Sequence, residues 1–238
     1  MALLVIAAAL LEAAVRIGMV SPTIVSPPSA IAGGFADLAR NGMLVVPTLT
    51  TFGETAAVTL IAIALGIPAG VALARSRTFG AAYQPWLGGL IAAPLVLLYP
   101  IFLVIFHRTT AMIVVMGSVT AVLPVIIQTR TGMLLVPTVF KAVGRSFNIS
   151  RRDAFAKIEF PAALPAIATG IRLAIIYGLV STIGLEYLID YGGLGRIISD
   201  LYAQYDIAQM YAAIVTIVVV SFASLWVLDR IERRLIPA

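Results

Sequence analysis

Apolar runs of bilayer-crossing length recur along this chain at residues 2–20, 51–74, 86–106, 111–128, 165–189 and 207–228. A helix crossing the ~30 Å hydrocarbon core needs about 20 apolar residues at a rise of ~1.5 Å each. Six such runs occupy most of the 238 residues and leave little for a domain outside the membrane. With 61% of residues hydrophobic and 11% charged, the chain has more apolar surface than a soluble fold of its size could hide, which excludes a soluble enzyme. The expected fold is an all-α integral membrane bundle of about six spans, a single transmembrane domain over residues 1–238. Cysteine is absent and His107 is the lone histidine, so disulfides, thiolate metal sites and histidine clusters are excluded.

The first run has two readings. Its small residues between Ala7 and Ala14 suit a cleaved leader, but no basic region precedes it, and Glu12 and Arg16 interrupt it, which favours a retained helix. Glu12 and Arg16 stand at i, i+4, where their charges offset one another. From Ser21 to Ser29 prolines remove amide donors and force extended geometry, so no helix passes through. An amphipathic piece over 30–40 is expected to lie along the membrane surface. Segments 75–84, 129–160 and 229–238 hold eleven Lys and Arg residues, whereas 21–50, 107–110 and 190–206 hold three. Basic residues in short loops resist translocation, so six spans with both termini in the cytoplasm place all eleven inside. The formal charge of +5 then reads as a topology signal and points away from a nucleic-acid partner.

The longest inside connection, residues 129–160, carries Lys141-Ala-Val-Gly-Arg-Ser-Phe-Asn-Ile-Ser-Arg-Arg-Asp153. A short helix broken near Asn148 is expected, since asparagine tolerates the left-handed conformation that ends helices. Pro161 and Pro165 mark the start of the next span. The result is a knob with an apolar side (Val143, Phe147, Ile149) and a basic side (Arg145, Arg151, Arg152). From spacing alone the arginines suit either anionic lipid headgroups or a docked protein.

That segment resembles the cytoplasmic coupling loop of ATP-binding-cassette (ABC) importer permeases, whose pattern reads E-A-A, three residues, G, nine residues, I, one residue, L-P. Ile158 and Pro161 match; Phe160 replaces the leucine, Asn148 the glycine, and Ala142-Val143-Gly144 stands in place of E-A-A. Leu11-Glu12, the Pro-Ser-rich stretch 20–31, Gly66-Ile-Pro-Ala-Gly70, Pro161-Ala-Ala-Leu-Pro165, Gly170-Ile-Arg172, Glu186 and Gly193-Leu-Gly195 resemble the nitrate, taurine and alkanesulfonate permeases in order and spacing. The resemblance implies a type I importer permease in a bacterial inner membrane, carrying a small, anionic solute. It implies a second permease copy or close relative, two ATPase subunits that bind ATP and Mg, and a periplasmic or lipid-anchored binding protein. Val143, Gly144, Arg145, Ser146, Phe147, Asn148, Ile149, Arg151, Arg152 and Asp153 would form the ATPase-coupling knob.

Gly66, Gly70 and Ala74 recur every four residues on one helix face, where missing side chains let another helix approach. Glu54, Arg172 and Glu186 are ionisable groups in or beside spans; at a cost of roughly 2.5–3.5 kcal/mol each near a helix centre, they need a partner or a water-filled cavity, which makes them translocation-pathway candidates. Arg172 could reach the inner surface, pair with a carboxylate or meet an anionic solute. No G-x-x-x-x-G-K-[ST] loop is present, so the chain is not expected to be an enzyme. The alternative is a carrier driven by an ion gradient, which would need paired interrupted helices in two repeated halves.

Overall fold

The computed structural model describes residues 2–21, 24–147 and 149–235, and among them every regular element is helical. Three long helices form the centre: α3 (Val45–Arg75), α6 (Thr110–Leu135) and α9 (Phe160–Ile189). Around them lie α1 (Ala2–Arg16), α2 (Pro28–Arg40), α4 (Arg77–Ala92), α5 (Tyr99–Phe106), α10 (Leu194–Ala203) and α11 (Ile207–Leu235). Two short helices, α7 (Thr138–Ser146) and α8 (Arg151–Ala154), precede a π-helical turn at Phe155–Glu159 that runs into α9. Arg75, Arg130, Arg151, Arg152 and Lys157 gather at one end of the bundle, the basic end; Glu54 and Glu186 lie toward the other, the far end.

Lipid tails are as apolar as leucine, so spans associate through close packing rather than through burial from water. Glycine sets that packing here. A Cβ on Gly66 would lie 2.6 Å from Val125 Cβ, and one on Gly70 would lie 2.6 Å from Thr129 Cβ and 2.7 Å from the Ile126 carbonyl oxygen, so α3 rests directly on α6. Ala74, one turn on, packs against the cluster of Met133, Val136, Ala163 and Ile167. The α6–α9 seam works the same way: a Cβ on Gly132 would lie 2.7 Å from Ala166 Cβ, and one on Gly170 would lie 3.2 Å from Val125 Cα. Val58 of α3 fills the space left by Gly117 and Gly178.

Among the described residues, four helical stretches are long and apolar enough to cross a membrane, and a fifth unit is the bent pair Thr78–Ala92 and Leu95–Phe106. The run expected as one span over 86–106 is therefore corrected to two helices meeting at 81°. Pro94 is the cause: it has no amide to donate, and the chain passes through a 3-10 turn at Leu95–Leu98 before α5 begins. The run expected over 2–20 ends at Arg16, before Gly18 at φ +80°, and its 15 residues reach about 22 Å, short of the ~30 Å core. The span expected from Pro165 starts at Phe160 and continues through that proline, with Pro161 in its first turn. The piece expected along the surface at 30–40 is α2, which packs on α11: Gly34 lies under the Ala208–Gln209 backbone, and Leu38 joins Leu194, Leu201, Ala212 and Ala213.

Substituting Gly70 by valine forces α3 off α6, whereas a Cβ on Gly88 meets nothing within 4 Å. Gly70→Val should cost about 1–3 kcal/mol of overpacking and Gly88→Ala almost nothing, read as thermal unfolding of the purified protein in detergent.

Candidate functional site

At the basic end, α7 stops at Ser146 and α8 starts at Arg151, so the expected break between two short helices is present; Asn148 itself lies outside the described residues, as do the side chains of Val143 and Arg145 and the exposure of Gly144. Ser150 caps α8: its hydroxyl accepts from the Asp153 amide at 3.1 Å and donates to the Asp153 carboxylate at 2.6 Å. That hydroxyl, followed by Lys157 at 2.9 Å, holds the Asp153 carboxyl below its ordinary range. Phe147 is 77% exposed, and Ser146, Ile149, Arg151 and Arg152 are exposed beside it. The knob thus offers an aromatic ring and two guanidinium groups to whatever lies beneath.

Its connection to the bundle is short and stiff. The π-helical turn joins α8 to α9 without a loop, Phe155 packs against Phe160 at 5.8 Å between ring centroids, and the Arg75 guanidinium at the end of α3 sits 4.4 Å from the Phe155 ring centre. Arg130 of α6 donates to Gln84 at 3.0 Å and ties α4 to the same end.

Arg172 donates to Asp229, pairing α9 with α11. A carboxylate partner is one of the three roles open to it from sequence, and Asp229 is such a partner. Asp229 was not recognisable as that partner, because its run of Asp, Arg and Glu reads as the end of a span. Glu12 makes the pair with Arg16 at 2.7 Å, and it also accepts from the Ser29 amide at 3.0 Å and the Ser29 hydroxyl at 2.7 Å, capping the first turn of α2.

The far end holds a buried polar knot. Asp190 turns left-handed (φ 50°) to end α9, Gly192 follows at φ +95°, and α10 starts at Leu194. Glu186, with 0% exposure, accepts from the Thr51 hydroxyl at 2.7 Å and from the Gly195 amide at 2.8 Å; Thr51 in turn accepts from the Leu194 amide at 2.9 Å. Two orphan amides at the start of α10 are satisfied, and the carboxylate faces the positive end of that helix. Neither Gly193 nor Gly195 has room for a side chain: a Cβ on Gly193 would meet Thr51 and Glu186, and one on Gly195 the Ile183 carbonyl. Glu54, 3% exposed, approaches from α3 on the same side of Gly192 as Glu186, and both its carboxyl oxygens are buried. Both acids belong to the knot, Glu186 through its hydrogen bonds and Glu54 through its place beside Gly192. Sequence reasoning passed over α10 and Thr51; the spacing of Leu194, Ile197, Ile198 and Leu201 is the helical signal that was available.

A bundle with several apolar spans, a buried polar knot at one end and a basic knob projecting from the other fits a polytopic membrane permease subunit. The chain belongs to the family described as binding-protein-dependent transport system inner membrane component, whose sequence model matches residues 62–237. It is similar to the nitrate import permease protein NrtB of Synechococcus elongatus, with 29% identity over 60% of this chain and 51% of that one. It is also similar to the osmoprotectant import permease protein OsmW of Salmonella typhimurium, with 28% identity over 74% of this chain and 84% of that one. The chain spans about half the length of the first of these relatives. The inward-facing MetNI methionine ABC transporter shares the fold: 20% identity, a TM-score of 0.67, and coverage of 79% of this chain and 94% of that one.

Thr51→Val keeps the volume but removes the hydroxyl that serves Glu186 and Leu194. It should destabilise the protein by about 1–3 kcal/mol, while Thr51→Ser retains most stability, measured by thermal unfolding in detergent.

Proposed function

We propose that this chain is the membrane-spanning subunit of an ATP-driven importer, and that the exposed knob is its grip on the motor. The observation that carries the reading is the knob's geometry: an exposed Phe147 beside Arg151 and Arg152, joined through an unbroken π-to-α helical connection to α9 and through Arg75 to α3. The family description, which names a binding-protein-dependent system, supports this reading over an ion-gradient carrier.

In this reading the basic end faces the cytoplasm, as do both termini, in a bacterial inner membrane. Two ATPase subunits bind ATP and Mg and dock under the knobs of this chain and a second permease copy or close relative. A binding protein on the opposite side delivers a small solute, and the named nitrate relative supports an anion among the candidates. Closure of the ATPases moves the knobs together, and the glycine-packed spans α3, α6 and α9 follow as a rigid unit between inward-open and outward-open packings. The solute gives direction only through different affinity for those two states. Hydrolysis in the partner resets the cycle; this chain does no chemistry.

Replacing Phe147 by Ala and Arg151 by Glu removes the exposed anchor and reverses a charge without touching the buried bundle. Recovery of the ATPase subunit with the tagged permease should fall by about tenfold or more, with the amount of membrane-inserted permease unchanged. Unchanged recovery would show that the motor, if any, binds elsewhere.

A further inference from the structure

We infer that Tyr205, at the tip of the turn between α10 and α11, is a docking side chain for the soluble binding protein, and that the partner receives it in an apolar pocket with lysine or arginine at the rim. The inference rests on the importer reading and adds where the binding protein grips this chain.

Backbone strain is the first argument. Six described residues have a left-handed φ: three are glycines, and His107 and Asp190 are of types that accept that conformation. Tyr205, at φ +58°, is the sixth and the misfit. It closes α10 at the position where glycine is the usual residue. Its own amide donates to the Tyr202 carbonyl at 3.0 Å, and the Asp206 amide donates to the Leu201 carbonyl at 3.0 Å. A bulky side chain held in this way is normally offset by packing. Here it is 85% exposed and makes no hydrogen bond or ring contact among the described residues. Strain of this kind clusters at ligand clamps and switch regions.

Position and chemistry are the second argument. Asp229 lies roughly 33 Å along α11 from Ile207, so the turn ahead of Ile207 reaches the far face of a ~30 Å core, opposite the basic end. Tyr202, 57% exposed, stands one turn before Tyr205. Tyrosine joins a large apolar ring to a polar tip and is enriched among the residues that anchor protein interfaces. Along α10 and its two ends, Asp190, Asp200 and Asp206 accompany one base, Arg196, which approaches Asp190 at 3.8 Å and Asp200 at 3.4 Å. Aromatic side chains set among surplus acids are complemented by an apolar pocket with a basic rim. The family description names a binding protein, and within the importer reading the ATPases occupy the other end, which leaves this face for it.

The mount is stiff. Leu201 is buried with Leu38, Leu44 and Ala212, and the opposite end of α10 is held by Glu186 of α9 through the Gly195 amide at 2.8 Å. A load on Tyr205 therefore reaches the helix that carries the knob.

The test uses the permease with its ATPase in nanodiscs of phosphatidylethanolamine and phosphatidylglycerol. The complex is titrated with the purified solute-binding protein encoded beside it, carrying the solute it retains, and stimulated ATP hydrolysis is read. Tyr205→Gly relieves the left-handed strain, so its thermal unfolding temperature should hold or rise, yet the half-saturating concentration of binding protein should increase about tenfold or more. Tyr205→Phe keeps the ring and should stay within about threefold of the native protein. A Tyr205→Gly complex that half-saturates like the native one would overturn the inference, and so would a marked fall in its unfolding temperature, which would show the ring at work inside the chain. The chain has no cysteine, so Gln204→Cys, at an exposed position beside Tyr205, creates a unique thiol. Methanethiosulfonate ethylsulfonate should modify it readily, and saturating binding protein should slow that reaction about threefold or more. Slow labelling with or without the binding protein would place the turn in an aromatic belt among lipid headgroups or under a second permease copy, and fast labelling that the binding protein does not slow would leave the turn unvisited; either overturns the inference. A native complex whose ATP hydrolysis ignores the binding protein would sink the importer reading itself, an outcome distinct from equal responses by the native and Tyr205→Gly complexes.

Discussion

Close backbone contact between α3, α6 and α9 is the constraint on which the rest of this structure depends. Inside a bilayer the hydrophobic effect does not press one apolar helix against another, so the spans hold together only as far as their surfaces meet. Gly66, Gly70, Gly117, Gly132, Gly170 and Gly178 lower the helix surfaces until backbone and side chain touch directly. That contact fixes the register of α3 against α9, and the register brings Thr51 within 2.7 Å of Glu186 across 135 residues of sequence. Without the glycines the far-end knot would have no fixed geometry, and an ionisable side chain would be stranded in an apolar setting.

The same register links the two ends of the molecule. Within the importer reading, force enters at the knob, passes the π-helical turn beneath Arg75 and Phe155, and travels along α9, whose 30 residues extend about 45 Å. At the far end Glu186 holds the start of α10, and α10 packs against α2 and α11 through Leu38, Leu194, Leu201 and Ala212. A helix this tightly seated moves as a body with its neighbours rather than bending alone. The design suits rocking between two packings, because the seam stays intact and the change falls on the contacts outside it.

Much of this was legible in the residues. Apolar runs located every long helix, and the four-residue spacing of Gly66, Gly70 and Ala74 marked the α3 face that meets its neighbours. Three things were hidden, each for a physical reason. The break at Ala93–Pro94 sits inside a continuous apolar stretch, and hydropathy does not register a missing amide. Helix α10, at 10 residues, is too short to register as a span, so hydropathy alone does not mark its leucine and isoleucine spacing. The partners of Arg172 and Glu186 come from helices 57 and 135 residues away, Asp229 and Thr51, and such pairing depends on the packing register, which a single sequence does not encode locally.

Where charge resides in the bundle bears on what can cross it. Arg172, the basic residue deepest in a central span, is joined to Asp229, so the guanidinium is already balanced by a carboxylate within the chain. Glu186 is balanced by Thr51 and by the amides of α10. Among the described residues lining the α4–α5 break, from Leu90 to Val96 with Tyr177 and Tyr187 across from them, none is charged. Within the importer reading, this chain spends its charges on its own packing, with Arg172 on Asp229 and Glu186 on Thr51 and α10, which leaves selection of the solute to the binding protein that meets it in water.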